Sequence, residues 1–188
     1  MADAGGCPAV FLDRDGVLNR SIVVAGKPYA PRRLADFRLL PGVVGAVDRL
    51  KHAGFLVVAV TNQPDIANGL VSPELVAAMN GILRRKLRVD DVVVCPHGQS
   101  EGCACRKPKP GMLLEAAERF GIDPTQSWMV GDRFSDMQAG RAAGCRTIKI
   151  DRGYREDRMV DSACCDYRVN TLPHAVKIIT QAGAIAPV

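Results

Sequence analysis

Ala9-Val10-Phe11-Leu12-Asp13-Arg14-Asp15-Gly16-Val17 is the stretch that decides the fold: four apolar residues run straight into two carboxylates, and a glycine then lets the chain turn. Its length and composition are those of a buried parallel strand with polar chemistry at its C-terminal end. Residues two apart in an extended chain point the same way, so Asp13 and Asp15 face one region. Two like charges so close are costly without a cation between or beside them, which implies Mg²⁺ or a shared proton.

The pattern repeats outward from this strand. Phe55 to Val60 is a second apolar run, ended by Thr61-Asn62-Gln63. Between the two, Val43, Val44, Val47 and Leu50 make a helical stripe that begins after Pro41-Gly42 and stops at Gly54. Ser72 before Pro73 reads as an N-cap with proline in the first helical position, opening a helix to about Leu87. Val92 to Val94 is a further strand, Gly111 to Phe120 a helix stopped by Gly121, and Ser127 to Val130 a strand ending in Gly131-Asp132. A helix over about Ser135 to Ala143, strands at Thr147 to Ile150 and Tyr167 to Val169, and a helix from Leu172 to Gln181 complete the series. Strands alternating with helices predict an α/β three-layer sandwich, a parallel sheet covered on both faces with its ligands at the carboxyl ends of the strands. No linker or repeat interrupts residues 1–188, so one domain is expected.

Composition narrows the function. With 47% hydrophobic residues in 188 there is enough for a sizeable core, which excludes a disordered tail, and 5% aromatics argue against a protein that stacks bases on rings. A net charge of +5 suits anionic substrates. Nucleic acid and membrane partners are not expected; a small phosphorylated molecule and a monomer are. The apolar runs are too short for a membrane helix, and Met1 to Gly6 lacks the basic start and apolar core of a signal peptide, so the expected location is cytoplasmic. Arg84, Arg85, Lys86 and Arg88 read as a solvated helix end, where the dipole favours cations. His52 and His174 lie on helical patterns and read as surface or packing residues.

Cys95-Pro-His97 and Cys103-Ala-Cys105 place three thiols and one imidazole within eleven positions, the ligand number and softness of a closed tetrahedral Zn²⁺ site. A structural zinc in the 95–105 loop would set the direction of Arg106-Lys107 immediately after it. The plainer alternative is a group of free thiols beside a surface histidine; a zinc ribbon would use Cys-x₂-Cys knuckles instead. Cys7, Cys145, Cys164 and Cys165 have no ligand partners at useful spacing and read as reduced thiols.

Asp13-x-Asp15-Gly-Val, Thr61-Asn62, Lys107-Pro108 and Gly131-Asp132-x-x-x-Asp136, in that order, resemble the four motifs of the haloacid dehalogenase (HAD) superfamily. Taken singly, Thr61-Asn62 could be a turn and Lys107-Pro108-Lys109-Pro110 a solvated loop. The Cys-x-His and Cys-x-Cys loop before Arg106-Lys107-Pro108 further resembles the histidinol-phosphate and heptose-bisphosphate phosphatase group. The words Phe11-Leu12-Asp13-Arg14-Asp15-Gly16 and Thr61-Asn62-Gln63 resemble its heptose 1,7-bisphosphate 7-phosphatase branch.

The resemblance implies a HAD-like Rossmannoid fold without a large cap, closed only by a small flap at about residues 19–31. It implies Asp13 as nucleophile and Asp15 as general acid and base, with Mg²⁺ held by Asp13, the backbone carbonyl of Asp15, and Asp132. Thr61, Asn62 and Lys107 would hold the transferring phosphate, Arg106, Lys107 and Arg133 would bind a sugar bisphosphate, and Asp136 would orient the loop or a metal-bound water. The implied reaction removes the 7-phosphate of the heptose bisphosphate on the way to nucleotide-activated heptose for surface polysaccharide. Histidinol phosphate and a 3′-phosphorylated polynucleotide are the rival substrates, and a zinc-stabilised binding module is the non-enzymatic alternative. Against the branch's common pattern, Pro64-Asp65 stands in place of Ser-Gly, Asn68 in place of an arginine, and Arg133 in place of a lysine.

Overall fold

The computed structural model describes residues 6–155 and 165–183; Cys164 lies outside them. In chain order the elements are β1 (Ala9–Leu12), a hairpin of β2 (Ile22–Val24) and β3 (Lys27–Tyr29), α1 (Val43–His52), β4 (Leu56–Asn62), a short α2 (Pro64–Ala67) and α3 (Pro73–Leu87). There follow β5 (Asp91–Cys95), α4 (Gly111–Phe120), β6 (Trp128–Gly131), α5 (Phe134–Ala143), β7 (Arg146–Ile150), β8 (Tyr167–Val169) and α6 (Leu172–Gly183). Six strands pair in the order β5-β4-β1-β6-β7-β8, and every pairing is parallel. The chain builds outward from β1 on one side, then returns to build outward on the other, so β1 lies at the reversal point where α/β sheets open a crevice.

All four residues of β1 are fully buried because both faces of the strand are covered. Val10 and Leu12 join a core with Leu50 of α1, Leu83 of α3 and Val176 of α6, while Ala9 and Phe11 join a second core with Leu113 of α4 and Ala139 of α5. This is the three-layer α/β architecture expected from the alternation of elements. The local signals also hold: Ser72 Oγ accepts from the Leu75 N–H at 3.2 Å ahead of Pro73, and α4 ends at Gly121 with φ of 63°. Arg84 pairs with Asp91 at 2.9 Å at the end of α3, as a solvated helix end would.

The structure departs from the sequence reading in two places. β4 continues through Thr61 and Asn62, because these residues still pair with Val94 and Cys95 of β5. The four residues of α2 are too few to show a helical period. Residues 19–31 hold the β2–β3 hairpin, whose two turn residues, Ala25 and Gly26, both have positive φ as a two-residue type I′ connection requires.

Two helical glycines report opposite environments. A Cβ on Gly140 of α5 would lie 2.6 Å from Cβ of Met129, so this glycine lets the helix close on β6, whereas a Cβ on Gly45 of α1 meets nothing within 4 Å. Gly45→Ala is expected to stabilise the protein by roughly 0.5–1 kcal/mol through helix propensity, and Gly140→Ala to destabilise it by about 1–3 kcal/mol through overpacking. Urea denaturation of both variants checks the pair; equal signs would contradict the packing.

Candidate active site

The register of the central strands brings three chain segments to one level. Leu12 of β1 is paired with Ala59 of β4 and with Val130 of β6, so Asp13, Thr61 and Asp132 all emerge just beyond these pairs. The Asp13 N–H donates to Val130 O at 2.9 Å, continuing the ladder into the site.

Lys107 is buried at the centre of this arrangement. Its Nζ lies 2.6 Å from Asp13 Oδ1, 2.7 Å from Asp136 Oδ1 and 2.8 Å from Val60 O. Burial works against its charge, but the two carboxylates outweigh burial and hold the ammonium above its ordinary value. Asn62 clamps the lysine backbone from both sides: its Nδ2 donates to Lys107 O at 3.0 Å and its Oδ1 accepts from Lys107 N–H at 3.1 Å. One amide hydrogen of Asn62 is left for a ligand. Asp136 accepts from the Arg133 backbone N–H at 2.9 Å with its other oxygen, tying the loop after β6 to Lys107.

Asp13, Asp132 and Asp136 each offer a carboxylate oxygen, all within 4.8 Å of one another. Burial pushes Asp13 up to about 7, with the negative charges of Asp136 and Asp15 adding to the shift and Lys107 opposing it. Burial, then Asp13 and Asp136, raise Asp132 well above the usual carboxylate range, opposed by a hydrogen bond from Tyr154. Three carboxylates against one ammonium leave two negative charges to be balanced, and Asp132 Oδ1 is buried without a hydrogen-bond partner. A hard divalent cation fits this donor set in charge, ligand type and vacant lone pairs.

The Asp15 carboxylate is not part of that cluster. It accepts from Arg14 at 2.9 Å, from Asn19 Nδ2 at 2.8 Å and from Gln63 Nε2 at 2.7 Å. Arg14, itself fully buried, is steadied by Asn80 of α3 at 3.1 Å. At Asp15 the like-charge problem of the Asp13/Asp15 pair is therefore met by a guanidinium. Gln63 also donates to Thr61 Oγ1 at 2.9 Å, which aims the hydroxyl hydrogen of Thr61 elsewhere.

A cavity of about 560 Å³ opens over these groups. Asp13, Asp15, Thr61, Lys107 and Asp132 line it together with Lys27 and Arg32 on the hairpin side, Arg106, and Arg133. Asp65 and Asn68 also line it, and Asp65 pairs with Arg32 at 2.7 Å.

Cys95 at the end of β5, His97, Cys103 and Cys105 converge beside the cavity, with their ligand atoms within 4.8 Å of one another. The sulfur of Cys103 is 3.6 Å from that of Cys95 and 3.5 Å from that of Cys105, while His97 Nδ1 is 3.2 Å from the Cys105 sulfur. A tetrahedral ion with sulfurs at about 2.3 Å would set them about 3.8 Å apart, close to the sulfur separations here, so the cluster suits a tetrahedral metal ion. Burial and the neighbouring thiols push Cys105 up to about 12, a cost that a bound cation removes.

Sequence reasoning assigned no role to Arg14, Asn19, Gln63 or Tyr154. The first three stand within or beside motif words, which was the available signal, but their common target, Asp15, shows only in three dimensions. Tyr154 donates to Asp132 at 2.7 Å across 22 residues with no pattern to announce it.

The comparisons with known proteins agree with this geometry. A HAD-hydrolase-like family model matches residues 104–175. A D-glycero-beta-D-manno-heptose-1,7-bisphosphate 7-phosphatase of Yersinia pestis is 37% identical over 185 residues, covering 90% of this chain and 95% of its own. One of Haemophilus influenzae is 39% identical over 183 residues, covering 91% and 96%. Among solved structures, the D,D-heptose 1,7-bisphosphate phosphatase of B. bronchiseptica, complexed with magnesium and phosphate, superposes with a TM-score of 0.80 at 30% identity, covering 93% of this chain and 99% of that one. With relatives this similar along nearly their whole length, the chain belongs to the HAD-like family of D-glycero-beta-D-manno-heptose-1,7-bisphosphate 7-phosphatases.

Proposed function

We propose that the chain hydrolyses the 7-phosphate of D-glycero-D-manno-heptose 1,7-bisphosphate to leave heptose 1-phosphate, in the β form that its relatives' names specify and the sequence left open. The observation that carries the chemistry is Asp13, held at one oxygen by buried Lys107 and at the edge of a carboxylate cluster under a cavity with basic walls. Its other oxygen makes no hydrogen bond among the described residues, which suits it to attack phosphorus in line. The P–O bond to the sugar breaks, Asp15 protonates the leaving oxygen, and Asp13 carries the phosphoryl group as an acyl phosphate. Asp15 then takes a proton from water, which displaces phosphate and restores Asp13. Lys107 and the Thr61 hydroxyl counter the charge on the phosphoryl oxygens, and the remaining hydrogen of the Asn62 amide adds a third donor. Arg106 and Arg133 suit the rest of the anionic substrate.

Asp13, Asp132 and the backbone carbonyl of Asp15 would hold Mg²⁺, whose charge cancels the repulsion between carboxylate and phosphate when it is bound. Cys95, His97, Cys103 and Cys105 would hold a structural Zn²⁺ that fixes the approach of Arg106-Lys107. The free thiols of the described residues accord with a cytoplasmic enzyme. Among the described residues no helix is long and apolar enough to cross a membrane.

Phosphate release should favour the β-anomer of heptose 1,7-bisphosphate over the α-anomer, histidinol phosphate and a 3′-phosphorylated oligonucleotide. The expected preference in kcat/KM is at least about a hundredfold, roughly 2.7 kcal/mol. Folded Asp13→Asn should lose kcat on the order of 10⁴-fold. Equal slow rates on all four substrates would reject the substrate assignment, and an active Asp13→Asn protein would reject the nucleophile.

The raised value of Asp13 sets a pH dependence for the metal. Below about 7 the acid form of Asp13 is populated, and a cation must displace that proton, so Mg²⁺ affinity should rise between pH 6 and pH 8 with proton release at the lower pH. Calorimetry in buffers of different ionisation enthalpy measures both quantities. Affinity that is flat or falling over this range would remove Asp13 from the ligand set.

Elemental analysis of untreated protein should give about one zinc per chain, and Cys103→Ser should lose the zinc and lower Tm. Folded, untreated protein without zinc would overturn that assignment.

A further inference from the structure

We propose that Tyr154 is the positioning residue for Asp132, fixing which oxygen of that carboxylate faces the cation site; the inference rests on reading Asp132 as a Mg²⁺ ligand. Tyr154 follows β7 and is only 4% exposed. Its hydroxyl lies 2.7 Å from Asp132 Oδ2 and 3.4 Å from Ser21 Oγ. A phenol has one hydrogen, and a carboxylate only accepts, so the hydrogen goes to Asp132 and Ser21 donates into the phenol oxygen. This divides the two oxygens of Asp132. Oδ2 is occupied by the tyrosine, while Oδ1 is buried with no hydrogen-bond partner and so keeps its lone pairs for a cation, in a residue that offers a carboxylate oxygen to the cluster with Asp13 and Asp136.

The surroundings are built around this contact. A Cβ on Gly16, where φ is 91°, would lie 1.7 Å from Asp132 Oδ2 and 2.9 Å from the Tyr154 hydroxyl, so the tyrosine–carboxylate pair requires glycine there. The segment carrying Tyr154 is anchored on both sides. Arg152 Nε donates to Gly16 O at 2.8 Å, and the Arg155 N–H donates to Gly26 O in the hairpin turn at 2.9 Å. Lys149 Nζ holds the backbone carbonyl of Asp132 at 3.0 Å, so main chain and side chain are fixed independently.

The test is calorimetric titration of the full chain with Mg²⁺. Tyr154→Phe should bind Mg²⁺ on the order of tenfold more weakly, the usual scale for loss of a partner behind a metal ligand. The Mg²⁺ concentration for half-maximal phosphate release should rise in parallel, and the lost rate should return at high Mg²⁺, a split that a merely loosened fold would not produce. Ser21→Ala, which leaves the Tyr154–Asp132 bond in place, should keep its Mg²⁺ affinity. Tyr154→Phe with unchanged affinity, or Ser21→Ala with an equal loss, overturns the proposal. Asp132→Asn separates the two readings: undiminished Mg²⁺ binding by that variant would refute Asp132 as a ligand. If Tyr154→Phe does not fold, ¹⁹F spectra of the unmutated chain carrying 3-fluorotyrosine at its three tyrosines decide the matter. Mg²⁺ should move the Tyr154 resonance, and a stationary one overturns the assignment.

Discussion

One buried ammonium holds this site together. Lys107 binds a carboxylate just beyond β1, another in the first turn of α5 and a carbonyl of β4, so β1, β4 and α5 converge on a single charge. A buried ion pair is weak evidence for stability in general, but breaking one by removing a partner leaves an uncompensated charge in a poorly solvated place. Here Asp13 and Asp136 both pair with that cation, and the Asn62 clamp on its backbone shows where the fold spends its rigidity.

Lys107 in turn inherits its place from what precedes it. The Cys/His cluster ends at Cys105, two residues before it, and the first residue of α4 is Gly111. A Cβ on Gly111 would come within 2.4 Å of Ala104 O, so the loop is pressed against the start of the helix with no room for a side chain. The two donor sets differ in kind, sulfur and imidazole beyond β5 and carboxylate beyond β1 and β6, which suits them to different classes of metal ion.

How much of this was legible in the sequence follows from the range of each signal. Ala9–Leu12 reads as a buried strand because a parallel strand covered on both faces shows a continuous apolar run, and Gly111–Phe120 has its end marked by Gly121. The Cys/His cluster was legible because its ligands are close in the chain and of a distinctive type. The four acids were legible as motif residues, but their pairing was not. That Asp15 answers to Arg14 while Asp13 answers to Lys107 depends on side-chain direction, whereas spacing alone implied Mg²⁺ or a shared proton for the pair. Asp65 with Arg32 and Tyr154 with Asp132 are contacts across 33 and 22 residues, set by where loops return over the sheet and carrying no local pattern.

The strand order has a consequence for how the molecule comes into being. When the chain has grown as far as Cys95, β1, β4 and β5 are present, yet β1 still has one edge open, because its second partner, β6, begins only at Trp128. The nascent half-sheet therefore presents the backbone of a strand destined for full burial as an unpaired template, the kind of edge that invites pairing with another chain. Asp13 is made early, but its neutralising Lys107 and the carboxylates of Asp132 and Asp136 come later, so the acid cluster cannot assemble before β6, which closes that edge, has been made.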